Sequence, residues 1–536
     1  MIRVIVVIFS VFILNLSLIA QTWSGYTGYL QPLSQIRDMT VFDGELMLSG
    51  GFDTVNNFTT GGLITWNGSK LDTLTDGMRN WGYSIFANDS ILVLGGSFSN
   101  IANTIYDNIV IWKGDSISNL GGQESGGTTT TQAVYILDGT VYFAGGFGAL
   151  PFLPLSKRVV GYHAITGWTD LNGGTWGGGV DDVQCLGEFN GNLVVGGLFT
   201  HAGTPMKLMN NIGIWDGTSW DDLGGGLSYS AQRMVTDTMN NFLYVAGAFL
   251  AAGGASTGAL ARWDGYQWDS VGGYFDGSIV ENAIRMYRNE LFVGGVPLIP
   301  GGQLSNHIMR FDGQDWYNLN GSVNEVVQAM YEYDDTLWVS GSFDTVGVGF
   351  ENLPTYRLAK WWMPANTHCR WLQSRIYVND NDPVFKDSVV PFYNNNAYAA
   401  SWDWSIDGSS TYSNYSPTHT FTDTGWYNIE VIVSQDGCTD TANVSVYVEE
   451  PVSVQEPEQV EFKVYPNPSS GQFTLELQAY QNIQVTIRDL QGKQVLNQSL
   501  NTTKTLVNTS KWAKGTYILE LSSGSQALGS EKIVLK

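Results

Sequence analysis

Five histidines, three cysteines and fifty acids are the residues from which this 536-residue chain could build chemistry. The histidines (His163, His201, His307, His368 and His419) stand far apart, and none sits in the H-E-x-x-H spacing that puts two imidazoles on one helix face for zinc. Cys185, Cys369 and Cys438 lack zinc-ligand spacing. A glycine-rich phosphate loop ending in Lys-Ser or Lys-Thr is missing, and no nucleophile elbow of a serine hydrolase is expected. Glycoside cleavage needs two carboxylates at a set separation. The adjacent pairs Asp181-Asp182 and Asp221-Asp222 are candidates, with exposed loop as the alternative. Asn379-Asp380-Asn381-Asp382 is an oxygen-rich run of the kind calcium takes, or a solvated turn. No other cofactor is expected. Cys185 reads as a small buried residue. For Cys369 and Cys438, a disulfide and two free thiols are the alternatives.

The elements that would position any site come from a repeat. Apolar strands ending in glycine recur as Leu46–Phe52, Leu92–Phe98, Val141–Phe147, Leu193–Phe199, Leu243–Phe249, Leu291–Val296 and Leu337–Phe343. Their glycines (Gly50, Gly96, Gly145, Gly197, Gly247, Gly295, Gly341) are followed in step by Trp66, Trp112, Tyr162, Trp215, Trp263, Phe311 and Trp361. A period near 50 residues with four short strands per unit predicts propeller blades. In each unit strand A is the first apolar run, as in Ile36–Val41, strand B the glycine-ending run, strand C as in Ile212–Trp215, and strand D as in Trp220–Leu223. The C–D turns, such as Asp216-Gly217 and Asp264-Gly265, read as two-residue hairpins that need positive φ. The aligned glycines read as close-packing positions. The last unit stops at Trp361-Trp362 without a D strand, and Trp23–Leu30 has the D-strand pattern, so the N-terminal strand is expected to close the ring.

In a four-stranded meander the B–C and D–A loops share one face. Here the B–C loops are long and several are apolar: Ala149–Leu155, Pro205–Met209 and Pro297–Pro300. Phe152, Leu208 and Ile299 are the candidate ligand-face residues, on the ground that loops on a rigid scaffold carry binding. The alternative is that these loops pack on one another. The units resemble kelch and galactose-oxidase-type propellers. They look closer still to the repeats of bacterial secreted proteins and fungal cortical polarity-marker proteins. The resemblance implies fold and says little of function; the copper site of a galactose oxidase cannot be assembled from these residues.

Residues 365–448 carry Ser401–Gly408 (SWDWSIDG), Pro417–Phe421 (PTHTF) and Gly425-Trp426-Tyr427, followed by alternating Ile429, Val431 and Val433. This resembles a PKD domain, which implies a small β-sandwich that spaces or binds surfaces; His419 reads as packing. The acidic stretch 449–461 should be an extended linker. Residues 462–536 then hold eight Lys+Arg against four Asp+Glu, a net of +4 that leaves −28 for the rest of a −24 chain. Pro466-Asn467-Pro468, the Gly492 turn, Lys514-Gly515-Thr516-Tyr517 and the terminal Lys532-Ile533-Val534-Leu535-Lys536 resemble the type A C-terminal sorting domain of the type IX secretion system of Bacteroidetes. That implies export across the outer membrane, the secretion machinery as partner, and removal of the domain with surface attachment or release.

At the other end, Arg3, the apolar run Val4–Leu18 and Ala20 before Gln21 read as a signal peptide over 1–20. No later run of about 20 apolar residues follows, so no membrane span is expected in the mature chain. The acidic balance argues against nucleic acid and anionic membrane surfaces. The expected architecture is all-β: a seven-bladed β-propeller over 21–364, a PKD-like β-sandwich over 365–448, the linker, and a β-sandwich sorting domain over 462–536. The expected function is a secreted or cell-surface, noncatalytic binding or adhesion protein with a surface glycan or protein ligand. The alternative is a secreted glycan-active enzyme with its site at the propeller axis.

Overall fold

Apolar alternation and Asn/Asp-Gly turns make strands along nearly the whole chain, and in the computed structural model helix is limited, among the described residues, to a 3-10 turn at Leu171–Gly173. The structure describes residues 22–536 except 27–34, 52–53, 56–57, 60–61, 74–79, 99, 102–103, 107, 115, 120–129, 149, 151, 178–181, 276–282, 296–306, 320, 349–350, 356, 364–368, 371, 379–382, 397–398, 409, 436, 451–460, 479–482 and 525. The expected signal peptide, Ile299, His368, Asp181, the Asn379–Asp382 run and most of the acidic linker therefore lie outside the described residues. The chain divides into two compact units, 1–449 and 450–536.

Seven antiparallel four-stranded sheets are described in the first unit. Their first strands are Gln35–Phe42, Asn80–Ala87, Thr131–Leu137, Asp182–Phe189, Ala231–Asp237, Ile284–Tyr287 and Val327–Tyr333. Each first strand packs against the next, and Val327–Tyr333 packs against Gln35–Phe42, so the series closes on itself. Six of these sheets are consecutive meanders. The seventh takes its fourth strand from the other end of the unit: Thr22–Gly25 pairs with Leu358–Trp362, Trp23 opposite Trp361.

The repeated glycine has a more specific cause than close packing. In six sheets the first strand carries a bulge at one equivalent place. Ile36 pairs with Gly50 and Asp38 with Ser49, leaving Arg37 as the extra residue. Tyr83, Gln132, Gln184, Gln232 and Gln328 are the extra residues opposite Gly96, Gly145, Gly197, Gly247 and Gly341. The bend that a bulge imposes drives a backbone carbonyl toward the partner strand. A Cβ on Gly50 would stand 1.9 Å from the Gln35 carbonyl oxygen, and one on Gly197 2.1 Å from that of Asp182. Only glycine leaves room.

The turns divide into two kinds. Five of the A–B turns are two-residue hairpins, as at Asp43-Gly44 (φ +51° and +77°), where Phe42 pairs with Glu45, and those after Ala87 and Asp237 have four loop residues. Four of the C–D turns are longer than the expected two residues, while Lys113 pairs with Ser116 and leaves two. Trp215 pairs with Trp220, which leaves four loop residues, and the Asp216 carboxylate accepts the Thr218 and Ser219 N–H groups at 2.7 Å each. The aspartate's side chain, as well as the glycine's φ, shapes this turn. The D-strand tryptophans tie neighbouring sheets. Indole Nε1 of Trp220 donates to the Leu171 carbonyl (2.7 Å), Trp268 to Leu223 (2.6 Å) and Trp316 to Val271 (3.0 Å).

Residues 369–449 form two sheets, a three-stranded one of Ile376–Val378, Val389–Asn394 and Thr418–Thr420 and a five-stranded one built on Gly425–Gln435 and Cys438–Glu449. Phe392, Trp404, Phe421 and Val431 fill the space between them. Cys369 and Cys438 are bonded, with Cα atoms 5.1 Å apart. This module does not stand off as a spacer. It is docked on the short-turn face of the closed series. Arg375 binds Asp264 (2.6 Å) and Asp269 (2.7 Å), Arg370 binds Asp315 (2.7 Å), Tyr377 stacks on Tyr266 (4.3 Å), and Asn395 Nδ2 donates to the Asn240 carbonyl (2.9 Å).

The second unit has sheets of three and four strands, Phe462–Tyr465 with Gln472–Leu477 and Lys504–Asn508, and Gln484–Asp489 with Gln494–Ser499, Gly515–Ser523 and Gln526–Leu535. Phe473, Leu475, Val485, Ile487, Leu519 and Ile533 are fully buried in its core.

Two outcomes test these constraints. Gly197→Ala should lose about 2–3 kcal/mol of stability by thermal or denaturant unfolding. Gly148→Ala, where a Cβ meets nothing within 4 Å, should stay within about 0.5 kcal/mol. Arg375→Ala leaves the buried Asp264 carboxylate without its cation, which costs about 3–5 kcal/mol, and should make the linkage between ring and module the first site of limited proteolysis.

Candidate functional site

The bulges decide what faces the axis. Each adds one residue near the start of a first strand, at the channel end that shares a face with the B–C and D–A loops. The extra residues Arg37, Tyr83, Gln132, Gln184, Gln232 and Gln328 line a cavity of about 300 Å3 or an adjoining one of about 210 Å3. Asp182 and Arg233 share the mouth with them. Sequence reading took the glycines as packing positions and did not see that each marks a channel residue. The signal was legible in principle, because the extra residue lies thirteen positions before the glycine in five of these copies and fifteen before it at Gln232.

Two aspartates at this end have opposite circumstances. Asp38 is committed to the fold. Its carboxylate accepts the Met39 and Ile85 N–H groups (2.9 Å each) and the Ser84 hydroxyl (3.1 Å), and Ser84 Oγ accepts from the Val134 N–H at 3.2 Å. Three inner strands are thereby linked. Burial raises the Asp38 pKa, against these hydrogen bonds and the Arg233 charge. Asp182 is open by contrast: its Oδ1 is buried without a hydrogen-bond partner. Burial pushes its carboxyl up to about 6, with Arg158 opposing. Gln184 Oε1 and Gln328 Oε1 are also buried acceptors without a donor.

The other sequence candidates fall into place around this mouth. Leu208 lies in the strand Lys207–Leu208 of a B–C hairpin and is 56% exposed. Met206, Tyr229 and Leu250 on the same loop face are exposed as well. Phe152 instead packs inward, its ring 5.0 Å from Trp168. Asp221 and Asp222 form no open pair: Lys207 holds Asp221, and Asp222 accepts the Gly225 N–H at 2.9 Å. Gly254-Ala255-Ser256-Thr257-Gly258 spells G-x-S-x-G, yet Ser256 sits in a short hairpin opposite Ala251, without the strand-to-helix elbow that exposes a nucleophile. His419 packs on Phe421 (4.7 Å) with Nδ1 2.8 Å from the Tyr412 hydroxyl. Cys185 is buried, and burial pushes its thiol up to about 12. Among the described residues no cluster of three or more His, Cys, Asp or Glu could hold a metal ion.

In the second unit the residues of Pro466-Asn467-Pro468 lock the last strand. Asn467 Nδ2 donates to the Lys532 carbonyl (2.6 Å), and its Oδ1 accepts the Val534 N–H (2.9 Å). This amide acts as one more rung of the ladder. Ser469 N–H donates to Val534 (2.8 Å), and Lys536 N–H to Ser469 (3.0 Å). Gly515 opens the strand that carries buried Tyr517, whose hydroxyl donates to the Ala513 carbonyl at 2.8 Å. Lys532 and Lys536 are exposed, alternating with buried Ile533 and Leu535.

Residues 463–536 match the family model described as a secretion system C-terminal sorting domain. The chain is exported to the cell surface or the extracellular space, and its terminal domain addresses it to the type IX secretion machinery. Among the described residues no helix is long and apolar enough to cross a membrane. No curated protein matches the chain. Two solved structures are similar over most of it. The extracellular domain of the hybrid two-component system BT3049 from B. thetaiotaomicron is 11% identical, over 80% of this chain and 58% of that one, with a TM-score of 0.40. PorZ, a surface component of the type IX secretion system of Porphyromonas gingivalis, is 12% identical, over 94% of this chain and 70% of that one, with a TM-score of 0.27. This chain therefore spans little more than half the length of the first, and at such TM-scores neither likeness fixes a fold or a function.

Asp182 provides a pH test. Its raised pKa means that the folded state holds the proton more tightly than the unfolded chain, whose value is 3.8. The associated stabilisation is complete at low pH and is lost as pH rises through about 6. Asp182→Asn should raise the melting temperature at pH 7.5, with a gain that shrinks toward zero below pH 5.

Proposed function

We propose that this is a noncatalytic binding protein, exported by the type IX system, whose seven sheets form a seven-bladed propeller of the kelch-like kind. The residue 369–449 module is read as PKD-like, with a structural role against the propeller. The ligand face is the one carrying the B–C and D–A loops. The observation that carries this reading is the contrast between the two faces. The short-turn face bears the docked module, while the loop face has the axial cavity and exposed apolar side chains. Binding is favoured over turnover because Asp38, the other carboxylate among the residues lining the two cavities, is consumed by structural hydrogen bonds. That leaves Asp182 without an evident carboxylate partner for glycoside cleavage.

Full-length protein should bind an extended glycan or a surface protein in an array that also reads product release, without turnover. The double variant Leu208→Glu, Leu250→Glu should weaken that capture at least tenfold. Ile165→Asp, on a C–D turn of the opposite face and 88% exposed, should leave it unchanged. Equal binding by all three proteins would remove the loop face from consideration, and product release would replace binding with catalysis.

A further inference from the structure

Positive charge collects on the axis of a chain whose net charge is −24. The cavity of about 300 Å3 is lined by three arginines, Arg37, Arg233 and Arg285, and by one carboxylate, Asp38. The adjoining cavity adds Asp182 and no further arginine or lysine, so the balance stays positive when both are taken together. Asp38 already accepts from Met39, Ile85 and Ser84. Arg233 Nη1 donates to the neighbouring Gln232 carbonyl (2.9 Å), and Arg285 lies 4.0 Å over the Tyr331 ring; among the described residues neither is in an ion pair. Glu332 feels the Arg285 charge from outside the cavity lining. Arg233 comes from the fifth of the seven first strands, yet its charge acts on Asp38 of the first strand, which places the guanidinium within the channel. A half-buried guanidinium without a counter-ion is costly, and low-dielectric walls focus its field on whatever enters. The planar fork of a guanidinium matches a carboxylate. The rest of the lining is organic in character: the Phe86 and Tyr135 rings stand 4.5 Å apart, with the Gln132 and Gln184 amides on the same wall. A bare inorganic ion would leave that part unfilled, and the volume lies at the small end of ligand sites.

We infer that the axial cavity is an anion site for a small organic carboxylate, about one ring in size, whose acid group meets Arg233 and the flanking Arg37 and Arg285 while its body lies against Phe86 and Tyr135. Asp182, in the adjoining cavity, opposes the bound charge and limits the affinity. This goes beyond the proposed capture function and does not depend on it, since Leu208 and Leu250 do not line either cavity.

The test is calorimetric titration of full-length protein at low ionic strength with glucuronate, galacturonate and cyclohexanecarboxylate. Glucuronamide keeps the ring and loses the charge; sulfate and phosphate keep the charge and lose the organic body. At least one carboxylate should bind, and sulfate, phosphate and the neutral amide should each bind about tenfold more weakly or worse. Arg233→Gln and Arg285→Gln should each weaken the carboxylate about tenfold. Arg233→Lys keeps the charge without the fork, and should fold and bind with intermediate affinity even where Arg233→Gln does not fold. Asp182→Asn removes the opposing charge and should tighten binding about threefold, a gain that a folding defect cannot produce. Silence toward all three carboxylates would overturn the inference. So would equal binding of a carboxylate and the neutral amide, preference for sulfate or phosphate, or an affinity that Arg233→Gln and Asp182→Asn both leave unchanged.

Discussion

A glycine facing a bulge is the constraint from which the first unit follows. The carbonyl that the bulge pushes outward occupies the space of a Cβ at Gly50, Gly96, Gly145, Gly197, Gly247 and Gly341. Without the glycine the first two strands of a sheet could not close on each other at that point. With it, the first strand gains one residue and turns it to the axis. The same backbone event thus bends the sheet and supplies the polar lining of the channel. A repeat conserved in spacing can therefore carry variable chemistry: arginine, tyrosine or glutamine at the extra position, with no change in the strands around it.

Sheets of only four short strands need ties to their neighbours. The outer ties are the indole bonds of Trp220, Trp268 and Trp316, each reaching the carbonyl that follows the last strand of the sheet before it. The inner tie is Asp38, which joins its own strand to the next through Ile85 and Ser84 and, through Ser84, to the third. A buried carboxylate is tolerable here because every lone pair it turns inward meets a donor. Asp182 lacks such partners, and the burial that raises its pKa is the physical mark of a group left open at a cavity.

The two-sheet module owes its place to polar contacts at the turns. Asp264 shapes its own C–D turn through Tyr266 and Gln267 N–H groups and also binds Arg375. Asn395 and Asn396 replace water on the carbonyls of Asn240 and Met239. The face that carries the A–B and C–D turns is thereby occupied. In the second unit a side-chain amide plays a comparable part, with Asn467 completing the edge of the final strand. The motif residues of that unit and its last strand are one hydrogen-bonded assembly.

Local patterns in the chain determined strand order, the position of nearly every turn, and the pairing of the N-terminal Trp23 strand with the last sheet, because each depends on residues adjacent in sequence or on a strict repeat. The export address was legible for the same reason: Pro466-Asn467-Pro468 and the closing Lys-Ile-Val-Leu-Lys lie in fixed local strings. Tertiary structure alone decided the rest. That Phe152 packs on Trp168 while Leu208 stays exposed depends on which loops meet. That Asp38 is satisfied and Asp182 is not depends on donors about fifty residues away. The channel lining escaped a reading of alternation because a bulge adds one residue and reverses the inside–outside order at that point, and only the paired strand reveals where the extra residue falls.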